Sequence, residues 1–253
     1  MISRLEPIGL EELVAEAALL TRVDRKYIMT ADEAEAVLAD LAEGTRVLTM
    51  GGLQSFAYES HYFDSADLLS FRMAALGRRR RFKLRTRSYV DTEDAYLELK
   101  TRGARSTTVK DRIAYDFGVR DALTDAGRDY AAVGLDALGI PRLESGDLRP
   151  TLATRYQRTT LLAPNGGGRA TIDAALSWEL DSGAALRVPG LVIIETKSGL
   201  RTGDIDRLLW RRGIRPSTIS KYGTGLAALR PDLPSNKWSR VLRRRFRPTA
   251  IAA

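Results

Sequence analysis

Charged side chains two residues apart recur through the middle of the chain, and that spacing puts them on one face of a pleated strand. Lys83, Arg85 and Arg87 alternate first, then Glu98 with Lys100, and Lys110 with Arg112. Tyr156 with Arg158, Thr171 with Asp173, and Glu195 with Lys197 continue the pattern. Any single strand of this kind reads as the solvent face of an ordinary antiparallel sheet. Two features of the set point elsewhere. Glu195 and Lys197 follow Leu191-Val192-Ile193-Ile194, apolar on both faces, so this strand is expected to be buried on both sides. Charges in such a strand must face each other or a polar interior, because an unpaired buried charge is costly. The lining is also lopsided. Many cations with few carboxylates repel one another in an enclosed space unless an anion normally fills it. A barrel whose lumen holds a polyanion meets both conditions.

Phosphate is the anion that suits such a lining. Lys and Arg give charge-assisted hydrogen bonds to its oxygens, and Arg can do so bidentately. Phosphoryl chemistry also calls for a divalent cation that bridges oxygens and neutralises developing charge. The chain has no cysteine and His61 is its only histidine, so the expected metal is a hard, oxygen-ligated Mg²⁺ or Mn²⁺. Glu195 and Glu98 are the candidate ligands. Glu195 reads equally as a metal ligand or as the ion-pair partner of Lys197; for Glu98 the pair with Lys100 is the stronger reading. The same composition excludes disulfides, thiolate catalysis and any multi-histidine metal site.

The net charge of +8, from 40 basic and 32 acidic residues, favours anionic partners in general. With 44% hydrophobic residues the chain can bury a substantial core. The N-terminal stretch lacks the layout of a signal peptide, and no apolar run is long enough to span a membrane. A cytoplasmic home is expected, with contact at the inner face of the membrane left open by the tail described below.

The elements that must position these residues follow from periodicity. Residues 9–21 and 31–41 read as amphipathic helices, the second started by a capping box of Thr30 and Glu33. Strands are expected near 45–50 and 56–63, then a helix capped by Asp64 or Ser65 and closed by Gly77. Residues 80–90, 94–101, 106–117, 151–163, 169–180 and 185–197 read as strands, with one helical interruption at 120–138. Helices near 203–212, capped by Thr202, and 220–229 follow, and a basic helix closes the sequence at 235–246. The fold class is α+β: an antiparallel β-barrel of about eight strands with flanking helices. Residues 1–234 form the barrel domain and residues 235–253 a basic amphipathic tail.

In order, Arg25-Lys26-Tyr27-Ile28, Tyr62-Phe63-Asp64-x-x-Asp67, Lys83-x-Arg85-x-Arg87-x-Tyr89, Glu98-x-Lys100, Lys110, Arg155-Tyr156-x-Arg158, Thr171-Ile172-Asp173, Glu195-x-Lys197 and Ser220-Lys221-Tyr222 form one series. Together they resemble the vacuolar transporter chaperone (VTC) domain, the polyphosphate polymerase branch of the triphosphate tunnel metalloenzymes, also called CYTH-like. The resemblance implies a tunnel that holds ATP and a growing inorganic polyphosphate chain. It implies that Lys26, Arg85, Arg87, Lys100, Arg158 and Lys197 act on the transferring phosphates. Lys83, Lys110, Tyr156, Ser220 and Lys221 would bind substrate, and Glu195, with Glu98, would bind Mn²⁺ or Mg²⁺. The Glu-x-Glu-x-Lys signature of the wider superfamily is absent, and Asp24-Arg25-Lys26 stands near its place. No helical sensor domain precedes the matched pieces, so inositol-phosphate control through one is not expected. Export of product would need a separate membrane protein.

The expected activity is transfer of the γ-phosphoryl group of ATP to polyphosphate. The alternatives are a triphosphatase or nucleotide hydrolase of the same fold, and a non-catalytic polyphosphate-binding module. Arg78-Arg79-Arg80-Arg81 reads as a solvated junction between helix and strand, so no specific nucleic acid is expected as a partner. Asn165-Gly166-Gly167-Gly168 reads as a hairpin turn, not a phosphate loop, since no helix follows. His61 is expected to pack or hydrogen-bond at a strand end. In the tail, Trp238, Val241, Leu242 and Phe246 form an apolar stripe beside Lys237, Arg240, Arg243, Arg244 and Arg245. A helix docked on the domain is the favoured reading, and contact with an anionic membrane surface the alternative.

Overall fold

The structure is a computed structural model that describes residues 2–16, 23–102, 108–140 and 147–246. The chain groups into two compact units. The first comprises Met1–Ala57, Tyr156–Leu176 and Val188–Thr218, the second Tyr58–Arg155, Ser177–Arg187 and Ile219–Ala253. Alternating patterns yield strands that pair antiparallel with one short parallel exception, and the α+β class expected from the sequence is what forms.

In the first unit the strands are β1 (Glu6–Ile8), β2 (Val23–Thr30), β3 (Arg46–Leu48) and β11 (Leu191–Ser198), with parts of β8 (Arg149–Leu162) and β9 (Arg169–Leu180). They pair in the order β2-β11-β9-β8; β3 adds to β8, and β1 pairs with β3 in parallel. Helices α1 (Leu10–Glu16), α2 (Ala31–Ala39) and α5 (Asp204–Arg211) belong to this unit. The capping box expected at Thr30 is present, with Glu33 N–H donating to Thr30 Oγ1 and Thr30 N–H to Glu33 Oε2. Tyr27, Met29, Val192, Ile194, Ala170 and Ile172 turn toward these helices and form a core with Val37, Leu38, Ile205 and Leu209. Their strand neighbours Lys26, Glu195, Lys197, Thr171 and Asp173 therefore occupy the opposite face.

The second unit carries β4 (Phe56–Asp64), β5 (Arg81–Tyr89), β6 (Asp94–Arg102) and β7 (Thr108–Tyr115), paired in that order after β8, with β10 (Ala185–Arg187) added to β9. The path is open-ended, at β2 and at β7. The eight strands on it match the expected number, and β1, β3 and β10 are additions of three residues each. Helices α3 (Leu69–Ala75), α4 (Asp125–Leu138), α6 (Lys221–Leu229) and α7 (Ser239–Arg245) complete this unit. Phe82, Leu84, Leu97 and Leu99 pack on Ala131, Leu135 and Leu138 of α4. Every second residue of β5 and β6 is thereby committed to the core.

Several local expectations differ from the outcome. Strand β2 is missing from the sequence reading, because Asp24-Arg25-Lys26 is a run of charges with no alternation. Residues 185–197 form two strands, split where Pro189-Gly190 stops the ladder. Leu13 of α1 is buried but Leu10 and Val14 are exposed, and Ala17 and Ala18 lie outside the described residues. The N-cap of α5 is Gly203, not Thr202, and that of α3 is Leu68, in a left-handed conformation. The side chains of Ser65 and Asp64 still accept from the Leu69, Ser70 and Phe71 amides, as the expected caps. The Asn165–Gly168 segment is the expected hairpin turn: Asn165, Gly166 and Gly168 have φ of 54°, 68° and 95°. A Cβ on residue 168 would fall 2.4 Å from the Lys197 carbonyl oxygen, so only glycine lets this turn lie against β11.

A buried carboxylate clamps the back of the two strands that present Lys26, Glu195 and Lys197. Asp206, at 0% exposure, accepts from Arg25 Nη1 (3.1 Å), Tyr27 Oη (2.7 Å), Ser198 Oγ (3.2 Å) and Thr196 Oγ1 (2.5 Å). All four donors sit on the reverse of the polar face. Removing the acceptor strands a guanidinium and three hydroxyls together. Asp206→Ala is expected to lower stability by about 3–5 kcal/mol in urea unfolding, the scale for losing one partner of a buried ion pair. A loss below about 1 kcal/mol would contradict the clamp.

Candidate functional site

Each unit presents a polar sheet face built from the residues left over once the core is satisfied. On the second unit the register sets these residues in rows. Lys83, Lys100 and Lys110 face one another across β5, β6 and β7; Arg85, Glu98 and Arg112 form the next row. Arg81 stands opposite Arg102, and burial together with that neighbour pulls the Arg81 pKa down. Like charges directly opposite on a sheet are destabilising. Here they recur over three strands.

One carboxylate sits at the centre. Glu98 is 2% exposed and accepts from Arg85 Nε (2.9 Å) and Nη2 (2.7 Å). Lys110 Nζ lies 2.8 Å from it and Arg87 Nη1 3.6 Å. Burial would raise the Glu98 pKa, but Arg85 and Lys110 outweigh burial and lower it. Glu98 thus draws Arg85, Arg87 and Lys110 from neighbouring strands, where the sequence suggested Lys100. Arg85 Nη1 also donates to Tyr62 Oη at 3.0 Å. Arg87 Nε is buried and makes no hydrogen bond among the described residues, so this face holds an N–H donor that a phosphate oxygen would satisfy.

Lys83 is positioned from α6. Its Nζ donates to Ser220 Oγ at 2.9 Å, and Ser220 Oγ in turn caps the helix by accepting from Gly223 N–H. Lys83 Nζ also lies 5.8 Å from the Tyr62 ring centroid and 5.9 Å from that of Tyr222, two rings stacked at 4.9 Å. Tyr222 Oη donates to Asp64 at 2.5 Å, and Asp64 further accepts from the amides of Ser65, Ser70 and Phe71. The Tyr62-Phe63-Asp64 and Ser220-Lys221-Tyr222 motifs therefore act as one brace. Tyr62 supports Arg85, Phe63 enters the core, and Asp64 fixes Tyr222 and with it the start of α6. Lys221 is the first residue of α6 and its carbonyl accepts from Trp178 Nε1.

On the first unit, Glu195 is paired with Lys26 (2.6 Å) and with Lys197. Burial would raise the Glu195 pKa, but the two ammonium groups hold it well below the ordinary carboxylate range. Burial lowers Lys197 despite its acidic partner. Arg158 clasps Asp173 through Nε (2.6 Å) and Nη2 (2.8 Å), and its guanidinium lies 5.1 Å from the Tyr156 ring. Thr171, opposite Glu195 in register, has a buried Oγ1 with no hydrogen bond among the described residues. Among the described residues no three Asp, Glu, His or Cys gather into a metal cage.

The structure thus brings Lys83, Arg85, Arg87, Glu98, Lys100 and Lys110 onto one face of the second unit. Lys26, Tyr156, Arg158, Glu195 and Lys197 share a face of the first. Sequence reasoning gave no part in the site to Asp206, Tyr62, Asp64 or Tyr222, Asp64 being expected only as a helix cap. The last three stand inside quoted motifs, while Asp206 looks like an ordinary first-turn acid of α5. His61 Nε2 lies 3.1 Å from the buried Glu59, on the reverse side of β4 from Tyr62. In the tail, Trp238, Val241 and Phe246 are buried, with Trp238 against Phe71 and Phe246 against Trp178. The apolar stripe is used in packing within its own unit. No described helix is long and apolar enough to cross a membrane.

The sequence matches the family described as the VTC domain over residues 21–230. A proposed adenylate cyclase from Bacillus halodurans aligns at a TM-score of 0.50 with 13% identity, covering 79% of this chain and 94% of its own. A proposed adenylyl cyclase from Hippeastrum, described as having a dominant triphosphatase activity, aligns at 0.49 with 16% identity, over 86% of this chain and all of its own. At such identity the likeness to the first is one of fold. No curated protein sequence matches.

If these faces hold phosphate, single cations should count. Arg85→Ala and Lys197→Ala are each expected to weaken binding of inorganic tripolyphosphate by about 1.5–3 kcal/mol, the scale of a charged hydrogen bond. Calorimetric titration, with circular dichroism as the check on folding, reads this out. Unchanged affinity in both would remove these residues from the site.

Proposed function

The chain belongs to the VTC domain family of triphosphate tunnel proteins, and from that premise we propose that it is a polyphosphate polymerase using ATP. The observation that carries the reading is the cation array on β5, β6 and β7, rows of Lys and Arg in register around the single buried Glu98. A flat anion with one charge would leave most of that array uncompensated. A chain of phosphates, with charge repeated along its length, matches it.

In the proposed reaction the bond between the γ-phosphorus of ATP and its β-bridging oxygen breaks. A terminal oxygen of the polyphosphate chain forms the new bond to that phosphorus, and ADP leaves with the electron pair. The transition state is loose, so positioning and electrostatics can supply most of the acceleration. Arg85 and Arg87, oriented by Glu98 and Tyr62, hold non-bridging oxygens with fixed guanidinium planes. Lys83, Lys100 and Lys110 add mobile point charges along the chain. On the other face, Lys26, Lys197 and Arg158 are held ready by their carboxylates, and Tyr156 offers a hydroxyl; Ser220 offers one beside Lys83. No covalent nucleophile enters the scheme.

Glu195 is suited to a divalent ion. Its carboxylate stays ionised, and a hard cation such as Mg²⁺ takes one or two carboxylates and completes its shell from phosphate and water. Glu195 would hold Mn²⁺ or Mg²⁺, which when bound supplies charge neutralisation across phosphate oxygens. Glu98, wrapped by Arg85, Arg87 and Lys110, is better read as the fixed counter-charge of the array.

Incubating the purified chain with ATP and Mn²⁺ or Mg²⁺ and resolving the products on a gel tests the proposal. A ladder of long chains is expected, and Glu195→Gln should abolish it while leaving the circular dichroism spectrum unchanged. ADP with orthophosphate alone would turn the assignment to a hydrolase. Binding of polyphosphate without turnover would leave only a binding module.

A further inference from the structure

The cationic face of the second unit changes character at one end. Along β5 the series Lys83, Arg85, Arg87 ends in Tyr89. Beside it on β6 the series Lys100, Glu98 ends in Tyr96 and Asp94. At a strand rise of about 3.3 Å per residue, Tyr89 lies about 7 Å beyond Arg87. Tyr58 of β4 pairs directly with Tyr89. The ring centroids of Tyr58 and Tyr89 are 4.9 Å apart with planes at 61°, and those of Tyr89 and Tyr96 are 6.1 Å apart at 90°. The Arg112 guanidinium lies 4.5 Å from the Tyr96 centroid. All four side chains alternate onto the same face as Arg85 and Arg87.

These rings are not core. On the reverse of the same strands Phe82 and Leu84 are 3% and 0% exposed, whereas the three tyrosines are half-buried and Arg112 is exposed. Nor is this end suited to more phosphate. The cations give way to aromatic rings, and Asp94 would repel a further anionic group while accepting from a hydroxyl or an exocyclic amine. A neutral, planar, hydrogen-bonding group joined to a phosphate chain fits: the nucleoside of a nucleoside triphosphate. Aromatic rings and guanidinium planes stack any base.

Building on the functional reading above, we propose that Tyr58, Tyr89, Tyr96 and Arg112 form the nucleobase subsite. The base stacks on this row, with Arg112 held flat by Tyr96. The same site then prefers a nucleoside triphosphate to inorganic tripolyphosphate.

The test is calorimetric titration of the full chain with ATP and with inorganic tripolyphosphate, each with Mg²⁺. ATP is expected to bind about 5- to 150-fold more tightly, the range for stacking one base. Arg112→Lys keeps the charge but removes the plane, on an exposed side chain whose change leaves the fold alone. It should bring ATP toward the affinity of tripolyphosphate. Tyr96→Leu should do the same while tripolyphosphate itself changes by less than about twofold, and Tyr96→Phe should keep the preference. Equal affinity of the two ligands for the unmodified chain would overturn the subsite and leave the phosphate site standing. Equal loss of both ligands in Arg112→Lys would also overturn it, assigning Arg112 to phosphate and the tyrosines to cross-strand packing. If neither ligand binds the unmodified chain, the functional reading fails and takes this subsite with it.

Discussion

Like charges held opposite one another on a sheet repel, and the organisation of this protein follows from containing that repulsion. Lys83, Lys100 and Lys110 meet across three strands, as do Arg81 and Arg102 across two. The strands cannot gain from these pairs, so they must be held from behind. Phe82, Leu84, Leu97 and Leu99 do this by packing on α4. Five of the seven lysines in the chain, Lys26, Lys83, Lys100, Lys110 and Lys197, alternate onto the two polar faces, whereas arginine is spread widely. That placement concentrates the mobile point charges where a polyanion would lie.

The few acids on these faces have a common use. Glu98, Glu195 and Asp173 each accept from cations on the same face, which sets those cations in fixed directions before any ligand arrives. Buried ion pairs of this kind contribute little net stability, because desolvation offsets attraction. Their value lies in orientation: Arg85 and Arg158 are each held by two hydrogen bonds to a single carboxylate. Asp206 and Asp64 work differently. They collect hydroxyl and amide donors, and at Asp206 the Arg25 guanidinium, and fix the strands and helix that carry Lys26, Lys197 and Ser220.

Much of this was legible because a strand has a period of two. Once Lys83, Arg85 and Arg87 are read as alternate residues, their shared face follows, and the structure keeps them there. Partner choice was less legible. Glu98 appeared tied to Lys100 by proximity in sequence, yet it also draws Arg85, Arg87 and Lys110 from the flanking strands, which only the register reveals. Strand β2 was hidden by three successive charges of which one, Arg25, belongs to the reverse face with Asp206. The break at Pro189-Gly190 was visible as turn chemistry and outweighed by the apolar run after it. The aromatic end of the cation face was invisible for a different reason: Tyr58, Tyr89 and Tyr96 lie on three strands and meet only through pairing.

The claim on which everything rests is that these alternating cations form phosphate-binding faces. Lysine acylation followed by mass spectrometry, with and without inorganic tripolyphosphate at low ionic strength, measures this residue by residue. The expected result is a clear slowing at Lys26, Lys83, Lys100, Lys110 and Lys197 while the N-terminal amine reacts at an unchanged rate. Acylation of all five at the same rate with and without tripolyphosphate would contradict it.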